Sequence, residues 1–191
     1  MHLNGASNLS FDGILFDYTF AASDASNFKP FEVNGSSNVT IRNSVFDGDL
    51  AEGKWAGADG FGWTYGLSVR SSRGVTIENN EVYDFLRGMI FYKSAELDVL
   101  GNDVHSIRSD GMDFAEVQDV LIEDNHLHDF PLPEGSADHR DMIQFWTSGT
   151  RQASTDITIR GNRLWYLFLL AAADCWQVWR YTLNRCAQIS K

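Results

Sequence analysis

The sequence predicts an all-β fold, a parallel β-helix solenoid with coils of about 22 to 23 residues. The first observation is a repeat of two short apolar strands whose central residues lie eight positions apart, as from Val69 to Ile77 and from Phe91 to Val99. The repeats follow one another closely, since Phe91 lies 22 residues after Val69 and Phe114 lies 23 residues after Phe91. A unit of this size cannot bury its apolar face alone, so neighbouring units must stack.

The second observation is an asparagine at the same place in four repeats. Each lies three positions after the central apolar residue of a second strand: Asn80, Asn102, Asn125 and Asn162. Asparagine tolerates the left-handed backbone of tight turns, and stacked asparagine side chains can hydrogen-bond as a ladder. The third observation is alternation of apolar and polar residues over three to five positions, which is typical of strands. The alternative is an antiparallel sandwich with regular turns.

This pattern resembles the right-handed parallel β-helix proteins of the pectate-lyase-like superfamily over residues 1 to 165. The resemblance implies a right-handed solenoid within a class dominated by extracellular carbohydrate-active enzymes, together with phage tailspikes and adhesins. Residues 166 to 191 form a second, atypical unit, either a cap or a non-native tail. Its apolar residues fall at helical spacing: Trp176, Trp179, Leu183 and Ala187.

The net charge of the chain limits the kinds of molecule that it is expected to bind. The chain has 191 residues, enough for one domain, and a net charge of −11. This charge argues against nucleic acid and anionic membranes as partners. A polyanionic substrate would need a locally basic groove or a bridging cation. The two cysteines, Cys175 and Cys186, leave a disulfide and two free thiols equally open.

The chain is expected to start inside a coil, because Leu3 aligns with Val33 and Phe11 aligns with Ile41. Upstream coils, a cap and any signal peptide of a secreted parent protein are therefore expected to be missing. Longer gaps between repeats mark insertions at residues 12–30, 47–65, about 130–140, and 148–154. The first three share one corner, after the third strand of a coil. They should build a wall beside the outer face of the first strands, where a groove is expected.

Alternation along the first strands gives the floor of this groove. The substrate-binding candidates are outward-facing residues and their neighbours along the wall: Arg70, Arg87, Tyr92, Gln144, Trp146 and Trp63. Aligned first strands put Asp141 above Asp110 and Gln144 above Asp113, and adjacent strands lie about 4.8 Å apart. The catalytic candidates gather here: Asp110, Asp113, His139, Arg140 and Asp141.

Two families of the superfamily resemble this cluster. The segments starting at Asp110 and Arg140 are similar to the paired aspartate segments of polygalacturonase-type inverting hydrolases, in which two carboxylates supply acid and base. Arg140 replaces the first of the paired aspartates, which is a departure from that pattern. The residues Asp138 to Asp141 also resemble the Asp-Arg-His cluster of mannuronan C5-epimerases and alginate lyases, with His128 where those enzymes place a tyrosine.

The epimerase and lyase resemblance implies abstraction of the C5 proton of a uronic acid. His139 would act as base or acid, and Arg140 or Arg87 would hold the substrate carboxylate. Tyr92 would protonate the leaving oxygen. In the hydrolase version, Asp110, Asp113 and Asp141 divide the acid and base roles.

We therefore predict a secreted β-helix protein that acts on a uronic-acid polysaccharide by C5 proton abstraction. An inverting hydrolase and a non-catalytic carbohydrate-binding, tailspike or adhesin module are the alternatives. Simpler explanations also exist, since Asp110 and Asp141 can cap turns and His139 can be an ordinary surface residue. No metal site is assigned, because a solvated pair is the simpler interpretation of His126 and His128. Ca²⁺ at the acidic loop starting at Asp47 is the one cofactor considered.

Overall fold

The structure is a computed structural model that describes residues 1–53, 57–166, 179–182 and 187–189. This part of the chain forms strands joined by turns and loops, and none of it is helical. Accordingly, no helix within it is long and apolar enough to cross a membrane.

Three parallel sheets run along the molecule, and each coil contributes one strand to each sheet. The first sheet contains β1 (His2–Asn4), β4 (Phe31–Asn34), β7 (Tyr65–Arg70), β10 (Arg87–Tyr92), β13 (Met112–Ala115) and β16 (Ile143–Phe145). The second contains β2 (Ser7–Asp12), β5 (Ser37–Arg42), β8 (Arg73–Glu78), β11 (Ala95–Leu100), β14 (Gln118–Glu123) and β17 (Thr155–Arg160). The third contains β3 (Leu15–Asp17), β6 (Val45–Asp47), β9 (Glu81–Tyr83), β12 (Asp103–His105), β15 (His126–His128) and β18 (Arg163–Tyr166).

The predicted parallel β-helix is confirmed, with the predicted register. Val69 pairs with Val33 on one side and Phe91 on the other, and Phe91 pairs with Phe114. The rings of Phe91 and Phe114 stack with centroids 4.7 Å apart, and the rings of Phe114 and Phe145 stack at 5.0 Å. Each fully buried side chain of this size contributes about 1.5 to 3 kcal/mol of hydrophobic stabilisation. The inward faces of the three sheets therefore form one continuous core.

The asparagine ladder is also confirmed. The backbone N–H and the side-chain Nδ2 of Asn80 both donate to Oδ1 of Asn102, each at 3.0 Å. Asn102 repeats the contact to Asn125 at 2.9 Å, and Asn125 repeats it to Asn162 at 2.9 Å. The second Nδ2 hydrogen of Asn102 reaches the carbonyl of Ile77 at 2.9 Å. The ladder thus pairs buried polar groups at the corner between the second and third sheets.

The insertions share the predicted corner, with one correction to their bounds. The first insertion spans 18–30 and not 12–30, because Leu15–Asp17 forms the third strand of its coil. Only its central residue, Phe16, points into the core, so this strand has too little alternation to be recognised in the sequence. The second and third insertions span 48–64 and 129–142.

Close backbone contact holds the second insertion against the next coil. A Cβ atom at Gly48 would lie 2.3 Å from the carbonyl oxygen of Asp84, and a Cβ atom at Gly62 would lie 2.4 Å from the carbonyl carbon of Phe85. Only glycine allows both approaches. The insertion is therefore seated on the coil that carries Arg87.

The helical spacing of apolar residues in the tail does not correspond to a helix at the positions that the structure describes. Residues 179–182 form β19 (Trp179–Thr182), which pairs antiparallel with β18, and residues 187–189 form β20 (Ala187–Ile189), which pairs antiparallel with β17. Free strand edges at the end of a solenoid can be covered by further pairing, which overrides helical spacing. Residues 167–178 and 183–186, with Trp176, Leu183 and both cysteines, lie outside the described residues.

We predict that Asn102→Ala lowers the free energy of unfolding by about 3 to 5 kcal/mol. The substitution removes four side-chain hydrogen bonds and leaves buried backbone groups without partners. Urea denaturation measures the change. Asn34→Ala is the matched control, because Asn34 makes one exposed contact to Asn4 at 3.3 Å and should change stability by less than about 0.5 kcal/mol. Equal losses in the two variants would contradict the role of the ladder.

Candidate functional site

An open groove of about 450 Å³ lies over the outer face of the first sheet. Its floor comes from β7, β10 and β13, and residues 27 and 29 of the first insertion form part of one wall. The lining side chains include three aromatic rings, three cations and one buried carboxylate: Tyr65, Tyr92, Trp146, Lys29, Arg70, Arg87 and Asp113. This volume lies within the usual range of ligand sites, about 300 to 1,000 Å³.

The cations of the groove lie over the aromatic rings. The Arg70 guanidinium is 4.9 Å from the ring centre of Tyr92, and the Lys93 ammonium, just outside the lining, is 4.9 Å from the same ring. Lys29 lies 5.6 Å from the ring centre of Tyr65. Within the described ranges, none of these three cations has a carboxylate within 4.0 Å. Their charge is therefore available to a ligand.

Arg87 is different, because it joins two buried carboxylates. Its Nη2 lies 3.2 Å from Oδ2 of Asp110, and its Nη1 donates to Oδ2 of Asp113 at 2.8 Å. Asp110 is fully buried and Asp113 is 3% exposed. The indole N–H of Trp146 donates to the other oxygen of Asp113 at 3.2 Å. Three coils thus meet at one charged network under the groove.

The same network continues to an exposed histidine. Nδ1 of His139 lies 3.4 Å from Oδ1 of Asp110 and 3.1 Å from Oδ2 of Asp141. The backbone N–H of Asp141 also donates to Oδ1 of Asp110 at 3.2 Å, so Asp110 does cap the next coil. Gln144 donates from Nε2 to Oδ2 of Asp141 at 2.8 Å. Asp110, Asp113, His139 and Asp141 thus belong to one network, but Asp113 is the one of the four that lines the groove.

Two predicted residues lie elsewhere. Arg140 donates from Nη1 to the carbonyl oxygen of Phe130 at 2.6 Å, which ties it to the backbone of the third insertion. Trp63 donates its indole N–H to the carbonyl oxygen of Asp24 at 2.8 Å and thereby joins the first two insertions. Neither side chain lines the groove. Of the six substrate-binding candidates, Arg70, Arg87, Tyr92 and Trp146 line it, and Gln144 lies beside it through Asp141.

Sequence reasoning missed Lys29 and Tyr65. Tyr65 pairs with Arg87 in the first sheet, so extending the strand alignment by two residues upstream would have found it. Lys29 lies in an insertion, where no repeat fixes the position of a side chain.

In the acidic loop considered for Ca²⁺, the carboxylate of Asp49 is already engaged by the backbone. Its two oxygens accept the N–H groups of Phe20 and Leu50, each at 2.9 Å.

A larger open groove of about 830 Å³ follows the corner after the first strands. It has no aromatic lining among the described residues, and its charged side chains are Lys93, Glu116 and Arg151. Glu116 accepts the backbone N–H of Arg151 at 3.0 Å. The smaller groove is the better candidate, because aromatic rings and buried titratable groups meet there.

Burial changes the acid–base properties of the two aspartates. Burial raises the pKa of Asp113 to about 6, against the opposing effect of the Arg87 guanidinium. Burial likewise raises the pKa of Asp110, although the backbone N–H of Asp141 and the charge of Arg87 act in the other direction. A carboxyl group with a pKa near 6 can both accept and release a proton near neutral pH.

Three parallel sheets wound into a solenoid place this chain in the class of parallel β-helix proteins. The chain belongs to the family described as the right handed beta helix region, whose model matches residues 2–165. A search of curated proteins found no match to this sequence.

Two solved structures of PfbA, a surface adhesin of Streptococcus pneumoniae, are similar to this chain. One has a TM-score of 0.60 at 15% identity and the other has a TM-score of 0.59 at 15% identity, each over 84% of this chain. The similar region covers 42% and 45% of those two chains, so this chain spans less than half of their length. At this identity the likeness concerns the fold.

We predict that the stability contributed by Asp113 decreases as the pH rises from about 4 to about 6. The folded protein holds the Asp113 proton more tightly than the unfolded chain, so folding takes up a proton in this window. The free energy of unfolding of the wild type, relative to that of Asp113→Asn, should therefore fall by roughly 2 to 3 kcal/mol from pH 4 to pH 7. Urea denaturation at a series of pH values measures it.

Asp119→Asn, on the exposed face of the second sheet, gives the baseline for a charge-removing substitution. A wild-type minus Asp113→Asn difference that is constant across the pH range would show that the raised pKa of Asp113 is wrong.

Proposed function

We propose that the protein binds an acidic, uronic-acid-containing polysaccharide in the groove of the first sheet and removes the C5 proton of a bound sugar, as a lyase or an epimerase does. The observation that carries the proposal is the set of cations at the groove without ion-pair partners in the described residues, in a chain whose net charge is −11. An acidic protein that keeps lysine and arginine free at one aromatic groove is suited to an anionic ligand there.

Recognition would combine stacking with charge. Tyr65, Tyr92 and Trp146 line the groove, and a sugar ring would pack against the aromatic surface that the cations leave uncovered. Arg70 and Lys29 flank these rings and can hydrogen-bond sugar carboxylates, with the guanidinium fork matching a carboxylate best. The groove is open along the sheet, which suits a segment of a polymer better than an enclosed small molecule.

The proposed chemistry uses Asp113, which lines the groove, and His139, which lies outside its lining at the far end of the same charged network. Proton abstraction beside a carboxylate needs a base, and it needs a cation that neutralises the charge developing on the substrate. Asp113 faces the groove, and burial raises its pKa to about 6. His139 is held between Asp110 and Asp141, with 61% of its side chain exposed. These two side chains are the base candidates.

Arg87 takes a different role from the one expected from sequence. It is engaged by Asp110 and Asp113, so a substrate carboxylate would have to compete with two buried carboxylates for it. Arg70 and Lys29 are therefore proposed to neutralise the substrate. Tyr92 keeps the proposed role of proton donor to the leaving oxygen, because it lies in the groove beside Arg70.

A second candidate is binding without turnover. The pairing of Arg87 with Asp110 and Asp113 favours binding without turnover, because a guanidinium held by two carboxylates also occurs in structural ion pairs. The similar structures, which are of a surface adhesin, also support this candidate. Both candidates place the protein outside the cell, where acidic polysaccharides occur.

We predict that Arg70→Ala and Lys29→Ala each weaken binding of a uronic-acid oligosaccharide by about tenfold, because each removes a charge-assisted contact. Isothermal titration with oligomers of alginate and of pectate measures the affinity. Arg42→Ala is the control, because Arg42 lies on the second sheet in an exposed pair with Asp12. An unchanged affinity in both groove variants would exclude the proposed binding site.

We predict that His139→Ala and Asp113→Asn each reduce turnover of such a polymer by at least about 100-fold with little change in affinity, since a base contributes about 10² to 10⁴ to the rate. Ultraviolet absorbance of the unsaturated product detects a lyase, NMR of the recovered polymer detects an epimerase, and new reducing ends without unsaturation detect a hydrolase. His2→Ala is the control, because His2 lies on β1, which β4 separates from the groove strands, and it does not line the groove. Saturable binding with none of these products would support the second candidate and overturn the catalytic one.

A further inference from the structure

The outer face of the third sheet carries a second cluster of side chains that the groove does not use. His126 and His128 lie two residues apart on β15 and therefore point to the same side of the sheet. β15 pairs with β12 in register, with His126 beside Asp103 and His128 beside His105. Stacking of the coils thus places two imidazoles and a carboxylate together on one face.

The three side chains direct one atom each toward a common point. Oδ1 of Asp103 lies 3.4 Å from Nδ1 of His126 and 2.9 Å from Nε2 of His128. These ligand atoms all lie within 4.8 Å of one another. In a tetrahedral zinc site with bonds of about 2.0 to 2.2 Å, neighbouring ligand atoms are roughly 3.3 to 3.6 Å apart. Side-chain rotations that separate the stacked rings of His126 and His128 would bring the three atoms to that spacing.

We propose that Asp103, His126 and His128 form a binding site for a divalent transition metal of the Zn²⁺ class, with the fourth position open to water. Two imidazoles and one carboxylate are a donor set that Zn²⁺ prefers and that Mg²⁺ and Ca²⁺, which take mostly oxygen ligands, do not. The ion would join β12 to β15, two successive coils. The site lies on a different sheet from the groove, so it does not depend on the proposed function.

The surroundings hold the ligands in place. Oδ2 of Asp129 lies 2.8 Å from Nδ1 of His128 and would hold the proton of the neutral ring there, so that a metal would replace the hydrogen bond between Nε2 and Oδ1 of Asp103 at 2.9 Å. The ring of His105 stacks on His128 at 5.1 Å, and the rings of His126 and His128 stack at 4.2 Å. A histidine bound through one nitrogen and hydrogen-bonded to a carboxylate through the other is the usual arrangement in zinc sites.

The surroundings of His126 limit the expected metal affinity of the site. Coordination through Nδ1 puts the proton of the neutral ring on Nε2, and Nε2 is buried without a hydrogen-bond partner among the described residues. The indole ring of Trp165 stands at 82° to the imidazole with centroids 5.7 Å apart, so contact with an aromatic ring takes the place of a conventional acceptor. Such contacts are weak, and we expect moderate affinity, enough for reversible binding.

Titration calorimetry of ZnCl₂ into the 191-residue chain tests the proposal. The Cys175→Ser/Cys186→Ser background is used, because thiolates also bind Zn²⁺. One saturable site is expected, and Asp103→Asn, His126→Gln and His128→Gln should each weaken it by at least about tenfold. His2→Gln, on β1, should leave it unchanged. His139→Gln separates this site from the Asp110–His139–Asp141 cluster, and it should also leave binding unchanged.

Two further measurements distinguish lost binding from lost folding. At a Zn²⁺ concentration near the Kd of the double-serine background protein, its melting temperature should rise relative to EDTA, while the three variants should show almost no rise. Imidazole ¹⁵N spectra should show coordination through Nδ1 of His126 and Nε2 of His128. Absence of saturable binding, or binding lost in His139→Gln but kept in the three variants, would overturn the proposal.

Discussion

In-register stacking of the coils is the constraint on which the rest of this structure depends. Parallel backbone pairing fixes the height of each coil, and the buried ladder from Asn80 to Asn162 pairs polar groups that would otherwise be orphaned at a sharp corner. Any slip by one residue would turn the phenylalanine stack outward and break every rung of the ladder. The stacking therefore decides which distant residues become neighbours. Arg87 and Asp113 are 26 positions apart in sequence, yet they share a hydrogen bond at 2.8 Å.

The charged network under the groove shows the free-energy cost of burying charged side chains. Two carboxylates that are almost fully buried would be strongly destabilising alone, and Arg87 offsets much of that penalty. A pair of well-packed apolar side chains would serve stability equally well or better. The network also reaches the surface at His139 and the groove at Trp146, so its members are connected to solvent at one end and to a ligand surface at the other. Buried titratable groups with shifted pKa values beside a groove are a feature of functional sites, and structural ion pairs also produce them.

The fold was predictable because its signal is repeated. Spacing from Phe91 to Phe114 and the recurring asparagines fixed the register of coils, and outward alternation placed Arg70 and Tyr92 on the floor of the groove. Prediction failed where nothing repeats. The short third strand at Leu15–Asp17 has one inward residue, and the tail strands depend on pairing with the last coil. Within the insertions, sequence gives the composition of the wall but not its geometry, so Lys29 was missed and Trp63 was misplaced.

In the proposed function, the position of Arg87 assigns ligand binding and proton transfer to different cations. A ligand carboxylate would have to compete with Asp110 and Asp113 for this guanidinium, and displacing either of them would leave a buried carboxylate without its cation. In the proposed function, ligand charge is met by Arg70 and Lys29, which lie over tyrosine rings and have no carboxylate partner in the part of the chain that the structure describes. Arg87 instead keeps Asp113 ionisable near neutral pH, because its charge opposes the effect of burial. The groove thus separates a cation held by two carboxylates, which opposes the effect of burial on Asp113, from cations without carboxylate partners in the described residues, which we propose bind the ligand.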